Sequence, residues 1–310
     1  MLRLLSDALR GPAQARAAHR QALRLGPSVA AGVRQLQRLC PPPAEPTDDA
    51  PIFLLSAGWR SGSTMLQRLL MSDPGVLVWG EPYDECGLVQ ALAGCQQAFR
   101  AHWPPQEYFY DGRPTGELTG EWIANLFPAL TDWRRAQRAL FDTLFAEPAR
   151  RAGARRWGLK EVRLTSEHAF YLRWLYPNAK FLLLHRHPLE AYRSYCSFGR
   201  NWYDLFPDRP MFTPHGFGTH WRRLMQGYLD DAQALGAMLV KYEDLAGGAL
   251  ALGSIDAYLG IATDHAVMAR KVRGTAQAGK TSAQGQVNAL ERWLLRRAAE
   301  PTASRLGYGW

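Results

Sequence analysis

The sequence predicts an α/β protein with a mostly parallel central sheet. Two segments, residues 52–71 and 180–195, each show an apolar strand that passes through a short polar turn into a helix. Continuous apolar runs of this kind are typical of parallel strands buried on both faces. With 310 residues, 47% of them hydrophobic, and 11 tryptophans, the chain is large enough for one substantial domain, with two small domains as the upper limit.

The first turn, Ser56-Ala-Gly-Trp-Arg-Ser-Gly-Ser-Thr64, predicts an anion site. Backbone N–H groups at a glycine-rich turn and at the start of a helix bind phosphate. A Walker loop needs a lysine directly after its second glycine, but Gly58 and Gly62 are one residue too close and Ser63 stands at the lysine position. The positive charge is Arg60 instead. An ordinary glycine turn with a capping serine is the alternative.

The second segment, Lys180-Phe-Leu-Leu-Leu-His-Arg-His-Pro-Leu-Glu-Ala-Tyr-Arg-Ser-Tyr195, predicts a second phosphate contact. Pro188 suits the first turn of a helix, so Arg186 leaves the strand end and Ser194 lies two turns into the helix. The guanidinium fork matches phosphate oxygens, and ligands of open α/β sheets bind at the carboxyl ends of strands. A structural junction with a surface arginine is the alternative.

Together these motifs resemble those of sulfotransferases that use 3′-phosphoadenosine-5′-phosphosulfate (PAPS). Residues 60–64 resemble the 5′-phosphosulfate loop, in the arginine version that is typical of the carbohydrate and tyrosine branches. The places of the 3′-phosphate motif are occupied by Arg186, Pro188, Glu190, Ser194 and Tyr195. His187 departs from the pattern, because Asp or Asn is common there. The resemblance spans roughly residues 50 to 280 and implies a three-layer, P-loop-like α/β sandwich.

The resemblance also implies a set of cofactor-binding residues. The 5′-phosphosulfate would contact Arg60, Ser61, Gly62, Ser63 and Thr64, and the 3′-phosphate would contact Arg186 and Ser194. A third apolar strand ends in Tyr242-Glu-Asp-Leu245, and Tyr242 would lie near the adenine. Alternatively, Tyr242 packs in the core while Glu243 and Asp244 cap the next helix. Lys280, in the basic segment 270–280, is a further candidate for the 3′-phosphate, although a solvated loop is the preferred interpretation there.

Transfer to a hydroxyl requires a base beside the acceptor. Glu81 follows a short strand at Gly80-Glu81-Pro82, where the Golgi-type and tyrosine-directed enzymes place a glutamate, so the resemblance implies that it is the base. A turn residue that bonds local backbone is the alternative. Arg60 would stabilise the charge on the leaving group. Lys160, in the segment Trp157–Arg163, would reach the sulfuryl oxygens or would be a solvated lysine at a strand end.

No metal is predicted, since the strand before His185 ends without the aspartate that holds Mg²⁺ in P-loop NTPases. His215 and His220 are interpreted as residues of a loop or of the acceptor pocket, and the four cysteines as free thiols.

The formal charge of +9 favours an anionic partner. The basic residues are scattered and form no nucleic-acid motif, so PAPS and a small-molecule or glycan acceptor are predicted, with no nucleic acid. Aromatic stretches at residues 99–133 and 198–217 suit a sugar, or they fill a helical subdomain. A carbohydrate acceptor is favoured by the resemblance. Lipid, polyketide-type and peptide tyrosine acceptors stay open, as does a nucleotide-binding protein without catalysis. The oligomeric state is left open.

Residues 1–48 are predicted to be a basic helical arm with a proline-rich linker, and residues 49–310 the sulfotransferase domain. The arm would pack on the domain or on a second subunit, contact a membrane peripherally through residues 1–39, or act as a transit peptide. No run of eighteen apolar residues and no secretory signal is found in the sequence. A cytoplasmic, bacterial enzyme is expected, the latter from the high arginine and alanine content.

Overall fold

A single parallel sheet organises the protein. The structure, a computed structural model, describes residues 28–42, 50–83, 86–197, 213–247, 249–269 and 286–310. In this part of the chain five strands pair in the order β2-β3-β1-β4-β5. They are β1 (Ile52–Ser56), β2 (Val76–Trp79), β3 (Arg156–Glu161), β4 (Lys180–His185) and β5 (Met238–Lys241). All four pairings are parallel, so the predicted α/β class with a parallel sheet is confirmed.

Helices cover the sheet and connect its strands. In chain order they are α1 (Val29–Leu39), α2 (Ser63–Leu70), α3 (Leu88–Gly94), α4 (Leu130–Phe141), α5 (Glu147–Arg151), α6 (Ser166–Leu175), α7 (Pro188–Cys196), α8 (Pro214–Asp231), α9 (Tyr242–Gly247), α10 (Ala249–Leu259) and α11 (Ala289–Arg305). A π-helical segment, Asp142–Ala146, joins α4 to α5. The helix after the glycine loop begins at Ser63, because Gly62 already provides its N-cap.

Strand β1 is apolar on both faces because both faces of the sheet are covered there. Along β1, Phe53 and Leu55 enter one core cluster, which α1, α4, α6 and α8 complete. Ile52 and Leu54 enter the other, which α2 and α10 complete. Each of these four side chains is fully buried. Burial of this kind stabilises by about 2 kcal/mol per large aliphatic side chain, and it explains why the strand sequence does not alternate between apolar and polar residues. The result is the expected three-layer sandwich.

The strand order creates a crevice at the carboxyl ends of β1 and β4. The chain leaves β1 towards β2 and β3 on one side and later returns to β4 on the other side of β1. In register, Ile52 of β1 lies opposite Gly158 of β3 and Lys180 of β4. The connections that follow β1 and β4 therefore lead away from each other, although the two strands are neighbours. Open α/β sheets bind ligands at such a point, outside the carboxyl ends of the strands.

The described part of the arm packs on the domain. Helix α1 has Ser28 as its N-cap and buries Val29, Val33 and Leu36 in the larger core cluster. Its Ala30 N–H donates to Glu167 Oε2 of α6 at 2.7 Å. The apolar side of this helix is thus covered by protein. Residues 1–27 lie outside the described residues, so peripheral membrane contact through them stays a prediction, as do the domain boundaries. Within the described residues, none of the helices has the length and apolar character needed to span a bilayer.

Candidate active site

The glycine loop has the backbone conformation of an anion-binding turn. Between β1 and α2, φ is +85° at Gly58, +63° at Arg60 and +92° at Gly62. Left-handed residues alternate with right-handed ones in such loops and direct successive N–H groups into one concavity. Gly62 is the N-cap of α2 and supplies no side-chain cap, so the first N–H groups of the helix stay available to a ligand.

The hydroxyl of Ser61 braces this loop from inside. Ser61 is buried, and its Oγ donates to the Gly58 carbonyl at 2.9 Å and contacts Ser56 Oγ. Ser63 is also buried, whereas Thr64 is exposed at the start of α2. Of the five residues assigned to the 5′-phosphosulfate, Ser61 therefore has a side chain that holds the loop in shape.

The two predicted phosphate motifs meet in the structure. The Arg60 Nε donates to Ser194 Oγ at 3.0 Å, across 134 residues of sequence. The Arg186 Nη1 donates to the Arg60 carbonyl at 3.1 Å. The loop after β1 and the helix after β4 thus form one continuous basic site at the carboxyl edge of the sheet.

Helix α7 begins at Pro188, as predicted from the sequence, and His187 is its N-cap residue. Pro188 occupies the first turn, and the His187 Nδ1 accepts the Leu189 N–H at 3.1 Å. An imidazole nitrogen thus supplies the N-cap acceptor that Asp or Asn provides elsewhere. Since Nδ1 accepts, the ring proton lies on Nε2, which donates to the Gly309 carbonyl at 2.6 Å.

Tyr242 packs between the two motifs. The Arg186 guanidinium carbon lies 4.4 Å from the centre of the Tyr242 ring, a cation–π contact. A Cβ on Gly62 would lie 2.2 Å from Tyr242 Cδ2, so only glycine fits beneath the ring. Tyr242 therefore packs against Gly62 and Arg186, two of the residues assigned to the cofactor, and its place near the adenine stays a prediction.

The site has the space and the donors for a second phosphate. A cavity of about 870 Å³ is lined by Arg186, Glu190, Arg193, Ser194, Ser197 and residues 286–288. The buried Arg186 Nε has no hydrogen-bond partner among the described residues. A buried donor without an acceptor costs about 1–3 kcal/mol, and a phosphate oxygen from the cavity side is the acceptor that a guanidinium fork matches best. The residues present therefore fit the 3′-phosphate of PAPS.

Glu81 and Lys160 form an ion pair beside the loop. Glu81 follows β2, Lys160 lies near the end of β3, and the Lys160 Nζ donates to Glu81 Oε1 at 2.5 Å. Lys160 is buried, so the alternative of a solvated strand-end lysine is wrong. The next residue, Glu161, receives two bonds from the Arg163 guanidinium at 2.7 and 2.8 Å. Burial raises the pKa of Glu161, and Arg163 opposes that rise.

Strand order brings these groups to one edge. The four groups of the site lie at the carboxyl ends of four strands that are consecutive in the sheet. Glu81 follows β2 and Lys160 lies near the end of β3. The glycine loop follows β1 and Arg186 follows β4.

His215 and His220 lie in helix α8, so the prediction of a loop there is wrong. Thr213 caps this helix, with its Oγ accepting the Gly216 N–H at 3.0 Å. The His220 ring lies 5.7 Å from the Trp59 ring. Lys280 and most of the aromatic stretch 198–217 lie outside the described residues.

Three residues near the site were not predicted. Trp221 donates from Nε1 to the Arg186 carbonyl at 3.1 Å. Tyr308 and Glu243 bracket the same turn of the chain. Trp221 and Tyr308 belong to no local motif. Glu243 is part of the Tyr-Glu-Asp segment, and that segment was the signal that could have drawn attention to it.

A parallel sheet with a glycine loop after its first strand, and two arginines joined at its carboxyl edge, defines a P-loop-like α/β protein. Residues 51–263 match the model of the sulfotransferase family, which is more than half of the chain. The chain therefore belongs to the sulfotransferase family and is a sulfotransferase enzyme. Members of this family generally use PAPS as sulfuryl donor. Within the described residues no group of His, Cys, Asp and Glu could hold a metal ion.

Solved structures of sulfotransferases are similar to this chain. The sulfotransferase domain from the curacin biosynthetic pathway is 15% identical, with a TM-score of 0.49 over 84% of this chain and 98% of that one. The sulfotransferase domain from the Synechococcus PCC 7002 olefin synthase is 19% identical, with a TM-score of 0.47 over 86% and 98%. Sulfotransferase STF9 from Mycobacterium avium is 18% identical, with a TM-score of 0.39 over 90% and 80%. No curated protein matches the sequence significantly.

Proposed function

We propose that the protein transfers the sulfuryl group of PAPS to a hydroxyl of a carbohydrate or glycoconjugate, with Glu81 as the general base. The observation that carries the proposal is the pair of contacts from Arg60 to Ser194 and from Arg186 to the Arg60 carbonyl. They join two anion-directed motifs into one site. PAPS carries phosphate groups at two positions, on the 5′ and 3′ oxygens of one nucleoside, and so suits both motifs at once.

PAPS, when bound, supplies the activated sulfuryl group. In the proposed step the acceptor oxygen forms a bond to sulfur while the bond from sulfur to the 5′-phosphate oxygen breaks. The hydroxyl proton passes to a Glu81 carboxylate oxygen, and the products are a sulfated acceptor and 3′-phosphoadenosine-5′-phosphate (PAP). Removal of the proton as the oxygen attacks is worth about 10²- to 10⁴-fold in rate.

Cations on this chain would stabilise the charge that develops in transfer. Arg60 lies in the glycine loop itself, so we assign it to the leaving 5′-phosphate oxygen. Lys160 is buried beside Glu81 and is assigned to the sulfuryl oxygens. A fixed cation in a site shielded from water stabilises developing charge more strongly than one in bulk solvent.

The acceptor class rests on the branch that the motifs resemble. The arginine-type loop and the Gly80-Glu81-Pro82 strand end are similar to those of the carbohydrate and tyrosine branches. Of the aromatic stretch 99–133, Trp103, Trp122 and Trp133 are exposed, and flat aromatic faces of this kind suit a sugar ring. We place the acceptor beside Glu81 and keep PAPS, with no nucleic acid, as the anionic partner.

Two measurements test the proposal. Calorimetry with PAP and with ATP, each with and without Mg²⁺, should show tighter binding of PAP that does not depend on the metal. Tighter, Mg²⁺-dependent binding of ATP would contradict the proposal. A panel of oligosaccharide, glycolipid, hydroxyacyl and tyrosine-peptide acceptors, followed by mass spectrometry for an added sulfuryl group, should then favour the oligosaccharide. Sulfation of the hydroxyacyl or peptide acceptor alone would overturn the acceptor class and leave the transfer reaction standing.

A further inference from the structure

Tyr308 ties together the two residues on either side of Arg186. It follows α11 through a turn at Gly307, where φ is +71°, and is 6% exposed. Its hydroxyl lies 2.7 Å from the His185 Nδ1 and donates to Glu243 Oε2 at 3.0 Å. The other oxygen of the same carboxylate, Glu243 Oε1, accepts the His187 N–H at 2.8 Å. One hydroxyl and one carboxylate thus bracket the chain immediately before and after Arg186.

The hydrogen-bond directions in this bracket follow from counting protons. A phenol has one hydrogen to donate, and the carboxylate of Glu243, which can only accept, takes it. The Tyr308 oxygen therefore accepts from His185, which must carry its proton on Nδ1. Burial lowers the pKa of His185 to about 4, so the ring is neutral at pH 7, as this arrangement requires. Every partner in the bracket is then satisfied.

Packing around the Tyr308 ring adds to the bracket. The His187 ring lies 4.9 Å from the Tyr308 ring, nearly edge to face, and the Lys241 Nζ lies 4.8 Å from the ring centre. Trp221, which donates to the Arg186 carbonyl, has its ring 6.3 Å from that of Tyr308. The side chain of His185, the carbonyl of Arg186 and the N–H of His187 are therefore all fixed by this one cluster.

The bracket also reaches Tyr242. Glu243 follows Tyr242 directly at the start of α9, and the Tyr242 ring lies beneath the Arg186 guanidinium. A hydrogen bond from Tyr308 to Glu243 thus constrains the backbone of Arg186 and the ring on which its side chain packs. Rigid support of this kind, from residues that do not touch the ligand, is what holds a binding group in place.

We infer that Tyr308 is a positioning residue that holds Arg186 in place for the 3′-phosphate and thereby sets the preference for a 3′-phosphorylated nucleotide. The inference rests on the proposed function. Tyr308 itself does not touch the ligand. It acts through His185, His187 and Glu243, and the side chain that meets the phosphate is Arg186.

A purely structural role makes a different prediction. Tyr308 contributes a large buried ring, and its loss would weaken binding of every ligand together with the fold. The hydroxyl alone is the part that ties Glu243 to His185. Tyr308→Phe keeps the ring and removes only that hydroxyl, so it separates positioning from packing.

The experiment compares PAP with 5′-AMP, which lacks the 3′-phosphate. For Tyr308→Phe we expect the Kd of PAP to rise about tenfold or more while the Kd of 5′-AMP stays within about twofold, since a hydrogen bond to a charged group is worth about 1.5–3 kcal/mol. In assays with PAPS, the KM for PAPS should rise more than kcat falls. Glu243→Gln is the second variant. It should lower the affinity for PAP and spare that for 5′-AMP in the same way, because it alters the carboxylate that accepts from Tyr308 and His187.

Tyr258→Phe is the matched control. The Tyr258 hydroxyl also bridges two groups, accepting the Phe181 N–H at 3.2 Å and donating to the Gly236 carbonyl at 2.8 Å. It does so at the start of β4, the end opposite to Arg186. This variant should lower stability by a similar amount and leave the ratio of the PAP and 5′-AMP affinities unchanged.

The outcomes separate the two claims. A wild-type chain that binds PAP no better than 5′-AMP would overturn the proposed function and this inference with it. A wild-type preference for PAP that Tyr308→Phe and Glu243→Gln leave intact would overturn the inference alone. So would an equal loss of affinity for both nucleotides, because that result is the signature of a packing role.

Discussion

The Lys160 Nζ lies 2.5 Å from Glu81 Oε1, and this ion pair joins the ends of two neighbouring parallel strands. The side chains are 8% and 24% exposed, so the carboxylate keeps one side towards solvent. The ion pair with the lysine holds the Glu81 carboxylate in one position. Glu81 can thus accept a proton on its open side while Lys160 fixes the other.

Glu81→Gln should abolish turnover and spare nucleotide binding. The amide has the shape of the carboxylate but cannot accept a proton, so we expect kcat to fall by at least about 100-fold. The Kd of PAP, measured by calorimetry, should stay close to that of the wild type. Glu117→Gln, at an exposed glutamate, is the control and should leave both quantities unchanged. Retained turnover in Glu81→Gln would place the base elsewhere.

Lys160→Met should also lower turnover, because it removes the cation assigned to the sulfuryl oxygens. A loss of about 10²- to 10³-fold in kcat is expected. PAP has no sulfuryl group, so its Kd should change little. Lys180→Met, at the start of β4 where the Nζ packs 4.9 Å from the Tyr258 ring centre, is the control for removing a lysine from a strand. An equal loss of PAP affinity and of turnover would contradict the assigned role.

Much of the fold was predictable because local pattern and tertiary environment agree. The run from Ile52 to Leu55 is apolar because both faces of the sheet are covered. Pro188 begins a helix because the first turn of a helix does not need the N–H that proline lacks. The phosphate motifs could be found for a related reason. Each lies within one strand–turn–helix unit, so a short stretch of sequence contains the whole of each motif.

Contacts between distant segments could not be predicted from such patterns. Lys160 and Glu81 are 79 residues apart, and His185 and Tyr308 are 123 apart. Nothing in either local sequence indicates the partner, since strand order alone brings β2 beside β3. Residues around His215 were predicted to be a loop because of nearby proline and glycine. Pro214 instead starts helix α8, and Gly218 lies where a Cβ would be 2.8 Å from the Leu295 carbonyl of α11.

Gly62→Ala should disable the site. A Cβ would lie 2.2 and 2.4 Å from two carbons of the Tyr242 ring, and φ at this position is +92°, which disfavours any side chain. We expect PAP binding to be lost and the free energy of unfolding to fall by about 1–3 kcal/mol. Gly94→Ala, where a Cβ would meet nothing within 4 Å, is the control and should bind PAP normally. Normal binding by Gly62→Ala would show that the loop is not the nucleotide site.

His185 should make the protein less stable in mild acid. Burial lowers its pKa to about 4 from 6.5, so below pH 6.5 the unfolded chain binds a proton that the folded chain does not. Stability therefore falls as the pH drops from about 6.5 to about 4, by up to about 3 kcal/mol in total. Urea unfolding at several pH values gives the free energy of unfolding as a function of pH. Between pH 4 and 6.5 this free energy should change with pH less steeply in His185→Asn than in the wild type, by about 1.4 kcal/mol per pH unit. Identical slopes would contradict this account.

Leu36→Ala should show that α1 is part of the folded domain. Leu36 is fully buried in the core cluster that contains Phe53 and Trp157, so truncation leaves a cavity and should lower the free energy of unfolding by about 2–5 kcal/mol. Leu39→Ala, one turn later on the same helix, removes a side chain from a residue that is 39% exposed and should cost no more than about 0.5 kcal/mol. Urea unfolding of both variants measures the difference. Equal, small effects would mean that α1 is a detachable arm, and the domain would then begin near residue 49 as the sequence predicted.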